Sequence, residues 1–530
     1  METAFDIIVI GAGSAGCVMA SRLSEDPRLS VCLLEAGGVD RSPLIHVPMG
    51  LGGLIHAPAL DWGYSTTPQA NLANRRMKHP RGRVLGGSSS INAMCYIRGM
   101  AADYEDWCLP GWGWQDMLPA FKRAESNTRG ADDFHGDKGP LGVDDLRHLS
   151  EISQDWGQAA QAAGLPWCDD FNQGQPEGIG PYQVTQRDGQ RCSAAAGYLT
   201  EQVRQRPNLT IVTDATVRRL ILTDRHVTGV DLGLKGKITA RAQVVLSAGA
   251  INSPHILMLS GIGPADHLAE MGVKPIVDGP MVGQNLQDHL DVILSARLRG
   301  GGYGIAPGFV LRGPLMLLDY LRNRSGPLSS NLAEMGGFAR SSAEADRPDL
   351  QFHLLPVLIE DHGHTLHRGY GLSLHVCDLA PESRGQIRLT GPHGTDAPAI
   401  DPNYLSAPGD WTRLIAGGRL AAKTLSHAPV ANQITGWVMP VPGHPADWSD
   451  AEWRQAIAQK AESIYHPVGT VAMGLDQQAP LRPDCTLRGV EGLSVVDASI
   501  MPRIIRGNTN APVIAMAELA AERLRDRLRP

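Results

Sequence analysis

The sequence predicts an α/β protein, α+β overall. One parallel-sheet domain of dinucleotide-binding type is assembled from discontinuous segments, and a second domain is inserted between them. Three observations carry this reading. A glycine-rich turn, Gly11–Gly16, directly follows the first apolar run. Strand-to-turn units of the same kind recur near the middle and the end, around residues 244–250 and 493–497. Between them, residues 300–460 hold strand-like runs such as Leu350–Leu355 and Gln386–Leu389, as an antiparallel sheet would. The length agrees, because 530 residues exceed the roughly 100–200 of one compact domain. With 42% apolar and 19% charged residues, the chain can bury a large core and is not of the disordered class.

Phe5–Ile10 is a short apolar run suited to a buried parallel strand. Cys17–Leu23 suits a helix, with Val18, Met19 and Leu23 apolar. Val31–Leu34 reads as the second strand and ends in Glu35. A loop-rich stretch from Ala36 leads into a second glycine cluster, Arg81–Ser90. Val244–Ala250 is the third strand-to-turn unit, and Ser253-Pro254 suits a helix start. The last strand is Leu493–Val496, followed by Asp497. A closing helix covers roughly Pro512–Leu528, with Val513, Ile514, Met516, Ala517, Leu519 and Ala520 on its apolar face.

Gly11, Gly13 and Gly16 spell G-x-G-x-x-G between a strand and a helix, which makes the first unit Rossmann-like. Gly11 allows the tight turn, Gly13 lets backbone approach a pyrophosphate, and Gly16 permits close helix–sheet packing. The helix start then offers free N–H groups to the phosphates. Glu35, 19 residues after Gly16, suits the hydroxyls of an adenosine ribose and disfavours a 2′-phosphate, which leaves FAD or NAD. The later glycine-rich units favour FAD, since a buried flavin needs backbone approach from more than one turn.

Lys and Arg number 48 against 55 Asp and Glu, a net charge of −7, so no basic field argues for nucleic acid. The cysteines at 17, 32, 95, 108, 168, 192, 377 and 485 form no C-x-x-C pair, which disfavours a metal site of that kind and fits a reducing compartment. Met1–Ile10 has no basic n-region, and no stretch reaches the roughly 18–20 apolar residues of a membrane span. The expectation is a cytoplasmic protein without a transmembrane segment; peripheral attachment to the inner face of the membrane and a homodimer stay open. No G-x-S-x-G occurs, so a serine hydrolase is not supported.

Over essentially its whole length the sequence resembles the glucose–methanol–choline (GMC) flavoprotein oxidoreductases, nearest their choline-dehydrogenase-like alcohol dehydrogenases. The motifs are Gly11–Gly16 with Glu35, Gly82–Asn92, Ser247–Pro254 through Ser260–Gly263, and Tyr465-His466-Pro467 with Asn508-Thr-Asn510. The resemblance implies an FAD-binding domain of residues 1–155, 205–300 and 465–530, and a substrate-binding domain of residues 156–204 and 301–464 with an antiparallel sheet and helices. It carries over Ser14, Ala15, Ala36, Val84, Gly87 and Ser88 as cofactor contacts, besides the fingerprint residues. Asn92, Ala93, Met94, Val217, Ala248 and Gly249 follow, and then Asp497, Ala498, Asn510, Ala511 and Pro512.

The resemblance also implies the chemistry, oxidation of a primary alcohol to the aldehyde. His466 matches the active-site histidine, a base for the hydroxyl proton. Asn510 is matched to the second active-site position, where its amide hydrogen-bonds the substrate oxygen. The hydride goes to flavin N5, and oxygen, a quinone or another carrier takes the electrons onward. Ile91 stands where some members attach FAD through a histidine, so the cofactor is expected to be non-covalent. Glu334 and Tyr465 are the expected substrate contacts. Leu332 and Ala333 replace the aromatic residues that hold choline by cation–π contact, which favours an uncharged alcohol. Glu334 as a plain hydrogen-bond acceptor, a choline dehydrogenase, a GMC-fold lyase or photochemical decarboxylase, and an NAD-dependent enzyme or nucleotide-binding module remain alternatives.

Overall fold

Parallel strands covered on both faces need unbroken apolar runs, and Ile7–Ile10 and Val31–Leu34 meet that need with every side chain buried. The computed structural model describes residues 3–365 and 367–528. The first sheet runs Leu209–Val212, Val31–Leu34, Ala4–Ile10, Lys237–Leu246, His226–Asp231, Arg219–Thr223. The first four strands are parallel and the last two fold back antiparallel. Lys237–Leu246 serves two partners along its other side: Lys237–Thr239 pair with His226–Asp231, and Val244–Leu246 pair in parallel with Leu493–Val495. Helix Ser14–Leu23 packs on the closing helix Asn510–Leu528. Buried Glu518 ties them, accepting from Arg22 Nε and from the Tyr198 hydroxyl.

The second sheet is antiparallel throughout. Its order is Ile434–Trp437, Leu290–Leu298, Tyr370–Asp378, Leu350–Leu355, Met335–Ala339, Gly178–Pro181, with Glu462–Ser463 beside Leu290–Asp291. Helix Pro408–Leu425 lies against it. Apolar side chains gather into one large cluster per sheet, with a small third cluster that includes Phe171, Tyr182, Phe338 and Cys377.

Three expectations change. Gln386–Arg388 does not join the second sheet; it pairs with Ala399–Asp401, and Ile387 inserts into the core of the first sheet. The helix expected from Ser253-Pro254 already begins at Gly249. Pro254 is tolerated inside it because the carbonyl that loses a donor, that of Ala250, accepts from the Thr470 hydroxyl at 2.6 Å instead. The closing helix begins at Asn510, two residues before Pro512, and the Val513 N–H closes its first turn on the Thr509 carbonyl.

Leu290–Leu298 lies in the second sheet although it falls within the 205–300 segment. Among the described residues no helix is long and apolar enough to cross a membrane, and no cysteine forms a disulfide.

Candidate active site

The fingerprint turn leaves one position open and closes the others. Gly11 has φ +93°, and a β-carbon on Gly16 would stand 1.8 Å from the Gly11 carbonyl oxygen. A β-carbon on Gly13 would meet nothing within 4 Å. Helix Ser14–Leu23 starts at that opening without a side-chain cap, so its first N–H groups are free for an anion. The second glycine cluster walls the turn: the Gly86 N–H donates to the Ala12 carbonyl, and Gly87 lies against Gly13. Glu35 is buried, accepts the N–H groups of Ala12 and Gly37 at 2.8 Å each, and is pushed by burial up to about 7.

The other expected cofactor positions have these surroundings. Ala15 is buried in the first helix, and Ala36 follows Glu35, whose carbonyl accepts from Ala215 two residues before Val217. Val84 is buried beside Ile45 and Leu54, and Ser88 Oγ accepts from the Gly82 N–H. The Ala93 carbonyl accepts from Asn331, and the Met94 N–H donates to Asn92. Ala248 and Gly249 donate their N–H groups to Ser253 and Asp497, and the Ala498 carbonyl accepts from Gly469. Ala511 and Pro512 form the first turn of the closing helix.

Arg191 staples the loop of the second cluster. It is buried, and it donates to the carbonyls of Ile45, Ser89 and Asn92 and to the Asn92 side chain. No carboxylate pairs with it among the described residues, its Nη2 has no partner, and burial lowers it to about 9. A buried cation with an unused donor suits a phosphate-bearing cofactor. Arg191→Met should therefore leave less flavin per protein after gel filtration than Arg191→Lys, with both below the parent; equal flavin-to-protein absorbance in all three would remove this role. Ile91 packs among apolar side chains, so acid precipitation should leave the flavin in the supernatant.

His466 lies where the two sheets meet. Its ring follows Glu462–Ser463, the short strand of the second sheet. The preceding Tyr465 has φ +68°, a strained conformation for a tyrosine. Three contacts hold it there: Arg81 donates to its carbonyl at 2.6 Å, its N–H donates to Ser463, and its hydroxyl lies 2.6 Å from His362 Nδ1. The His466 N–H donates to buried Asp288, which also accepts from the hydroxyls of Tyr404 and Ser463. His466 Nδ1 is 3.1 Å from His289 Nδ1, and His466 Nε2 is 3.5 Å from Asn508 Nδ2. Gln351 donates to Asn508 Oδ1 at 2.9 Å, which turns the Asn508 amide N–H₂ toward His466. Burial first, then the neighbouring His289 and His353, hold His466 well below the usual histidine range. Burial likewise lowers His289 to about 4 and His353 to about 3.

Two expected site residues make contacts of another kind. Asn510 does not face His466: its Oδ1 accepts from Ser14 Oγ at 2.6 Å, at the start of the fingerprint helix. Asn508, two residues earlier and still outside the closing helix, takes the place beside the imidazole. Glu334 is fully buried, and five donors fill its carboxylate. Tyr303 and Ser330 reach one oxygen; the Ser150 N–H, the Ser150 hydroxyl and the Ser153 hydroxyl reach the other. Sequence reasoning missed Asn508, Asp288, His289 and Gln351; the polar run Gln287-Asp288-His289 ahead of an apolar strand was the available signal.

Fold and family likeness together define a class, a dinucleotide-binding oxidoreductase. The chain belongs to the GMC oxidoreductase family, whose N-terminal and C-terminal models match residues 5–291 and 381–517. It is 46% identical to an alcohol dehydrogenase (acceptor) of Pseudomonas putida, covering 98% of this chain and 95% of that protein. It is 39% identical to an oxygen-dependent choline dehydrogenase of Paraburkholderia phymatum, covering 99% and 93%. A formate oxidase structure from Aspergillus oryzae, studied for modification of its FAD, superposes with a TM-score of 0.91 at 27% identity over 99% of each chain. The cofactor is FAD, and the chain is an FAD-dependent oxidoreductase.

Proposed function

We propose that this enzyme oxidises an uncharged primary alcohol to the aldehyde, with His466 as the base and Asn508 as the hydrogen-bond donor to the substrate oxygen. The observation that carries it is the placement of Asn508. Its amide faces His466 Nε2, and two residues later Asn510 touches the start of the dinucleotide helix. The proposed oxyanion donor and the cofactor cradle thus adjoin on one short stretch of chain, and the proposed base, 42 residues earlier in sequence, faces that donor.

The free open turn at Gly13, Glu35, the loop of residues 86–94 and the start of the closing helix are the groups that would hold FAD. Bound FAD supplies the two-electron acceptor for the hydrogen leaving carbon. His466 accepts the hydroxyl proton at Nε2. To leave Nε2 free, its Nδ1 carries the ring proton and donates it to His289 Nδ1; His289 is then the neutral tautomer protonated at Nε2. Asn508 donates to the oxygen as negative charge develops there. A second acceptor then takes the electrons.

Glu334 supports an uncharged substrate: it is fully buried behind its five donors, which keeps a bulky trimethylammonium group out of contact with the carboxylate. We read it as an architectural acceptor, and Tyr465 as the strained residue that aims His466. By this reading the first-sheet segments hold the cofactor and the second sheet presents the substrate, with Leu290–Leu298 counted in the second. Eight cysteines outside any disulfide fit the cytoplasm.

Turnover with a dye acceptor, over aliphatic, aromatic and polyol alcohols plus choline, tests the substrate class. A preference for choline overturns it. Asn508→Ala should lower kcat/KM about 10²–10³-fold at unchanged FAD content. Asn510→Ala should act mainly on FAD retention through Ser14; the opposite pattern would return the donor role to Asn510.

A further inference from the structure

Of the large apolar side chains exposed among the described residues, half lie between Ile305 and Leu321. They centre on helix Gly313–Asn323. Pro314, Leu317, Leu318 and Leu321 recur at helical spacing on one face, with Leu315 beside them, and that face points to solvent. Leu311 in the preceding turn is 79% exposed, and Leu315 is 68% exposed. The opposite side is anchored: Tyr320 is buried, and its hydroxyl donates to the Gly189 carbonyl at 3.1 Å. An ordinary surface helix turns such a stripe inward. Here it is turned outward, and a contiguous apolar patch of this kind marks an interaction surface.

The charges around the patch choose the partner. Arg312, just before the helix, and Arg322, on it, are exposed and make no ion pair among the described residues. Arg368 is also exposed and makes no ion pair among the described residues; its chain neighbours His367 and Gly369 line a cavity of about 360 Å³ beside the helix. Ile305, Phe309, Val310, Met316 and Leu358 give that cavity an apolar lining. The nearby Asp319 carboxylate is already engaged by Asn323 and Ser325. Two copies joined through this face would bring unneutralised arginines together. A bilayer carrying anionic headgroups would take the leucines into its apolar layer while the arginines reach its phosphates.

We propose that helix Gly313–Asn323, with the turn before it, docks this enzyme on the surface of an anionic membrane. The apolar cavity then opens toward the bilayer, although the chain as a whole is acidic. The helix lies in the interface and does not span it.

The test is co-sedimentation of the FAD-loaded full chain with vesicles of phosphatidylcholine alone or mixed with phosphatidylglycerol. Wild type should bind the mixed vesicles, bind phosphatidylcholine several-fold more weakly, and lose the difference at high salt. Leu317→Glu with Leu321→Glu should weaken binding to the mixed vesicles more than tenfold. Arg312→Glu with Arg322→Glu should remove the preference for anionic vesicles, at about fivefold or more per arginine. Both variants should oxidise a water-soluble alcohol at the parent rate, which shows that they fold. No vesicle binding by the wild type, or binding unchanged in the leucine variant, overturns the proposal. A lipid-free dimer in sedimentation velocity that the leucine variant breaks, without vesicle binding, assigns the face to a second copy and equally overturns it.

Discussion

His466→Ala is expected to lower kcat/KM for alcohol oxidation by about 10²–10⁴-fold, the usual contribution of a positioned base, while the FAD content stays at the parent level. The imidazole touches no residue of the fingerprint turn in the hydrogen bonds it makes; its partners are His289 and Asn508. Its loss therefore removes the proton acceptor and spares the cradle. A second signature separates this from mere distortion of the loop. Burial and the adjacent histidines keep His466 neutral far below the usual histidine range. A group whose folded pKa is lowered is already deprotonated at neutral pH, so it is ready to accept a proton. The kcat/KM profile of the parent should accordingly be flat through neutrality, with its acid limb well under the ordinary histidine value of about 6.5. An acid limb at that ordinary value, or a variant that retains near-parent turnover, moves the base elsewhere.

Asp288→Ala should be the most destabilising change near the site. The carboxylate is buried and accepts the N–H of His466 and the hydroxyls of Tyr404 and Ser463, with His79 Nε2 at 3.4 Å. Removing it leaves those donors buried without an acceptor, a loss of about 3–5 kcal/mol by analogy with broken buried pairs. The backbone that aims His466 is released with them. Burial pushes this carboxyl up, but His79, Ser463 and Tyr404 together bring it well below the usual range. The sign for stability follows from that lowering. The contribution is complete above the unfolded value of about 3.9 and is lost as pH falls toward the folded value. Urea midpoints of parent, Asp288→Ala and Asp288→Asn at neutral and acid pH check both points. The alanine variant should unfold earliest, and the gap to the parent should narrow in acid. A midpoint equal to the parent's at neutral pH would show that the network carries no stability.

Much of the fold was legible because its signals are local. Apolar runs such as Phe5–Ile10, the fingerprint glycines and the acidic end of the second strand all lie within a few tens of residues. The candidate site was legible only in part. His466 could be singled out from its neighbours, but which asparagine of Asn508-Thr-Asn510 lies beside its ring could not. The distinction depends on contacts far apart in sequence, such as that of Asn510 with Ser14, 496 residues away. The same holds for Asp288 and His289, whose partners at His466 are 178 and 177 residues distant. The surroundings of Glu334 were equally hidden: Ser150 and Ser153, more than 180 residues earlier, donate to its carboxylate. The Ser253-Pro254 start failed for a related reason: the hydroxyl that tolerates a proline inside that helix belongs to Thr470.

The strand Lys237–Leu246 gives the chain a problem during its own synthesis. Its partner along one side, Leu493–Val495, is made almost 250 residues later (493 less 246). At about 5–20 residues per second, the nascent chain carries that bare strand edge for tens of seconds. The neighbouring pairings are also of very long range, so closure of the sheet is slow by its topology. An uncovered apolar edge is a template for other chains. The yield of active enzyme in an expressing cell is therefore decided by a race between aggregation and the arrival of the last strand, with chaperone supply as the lever.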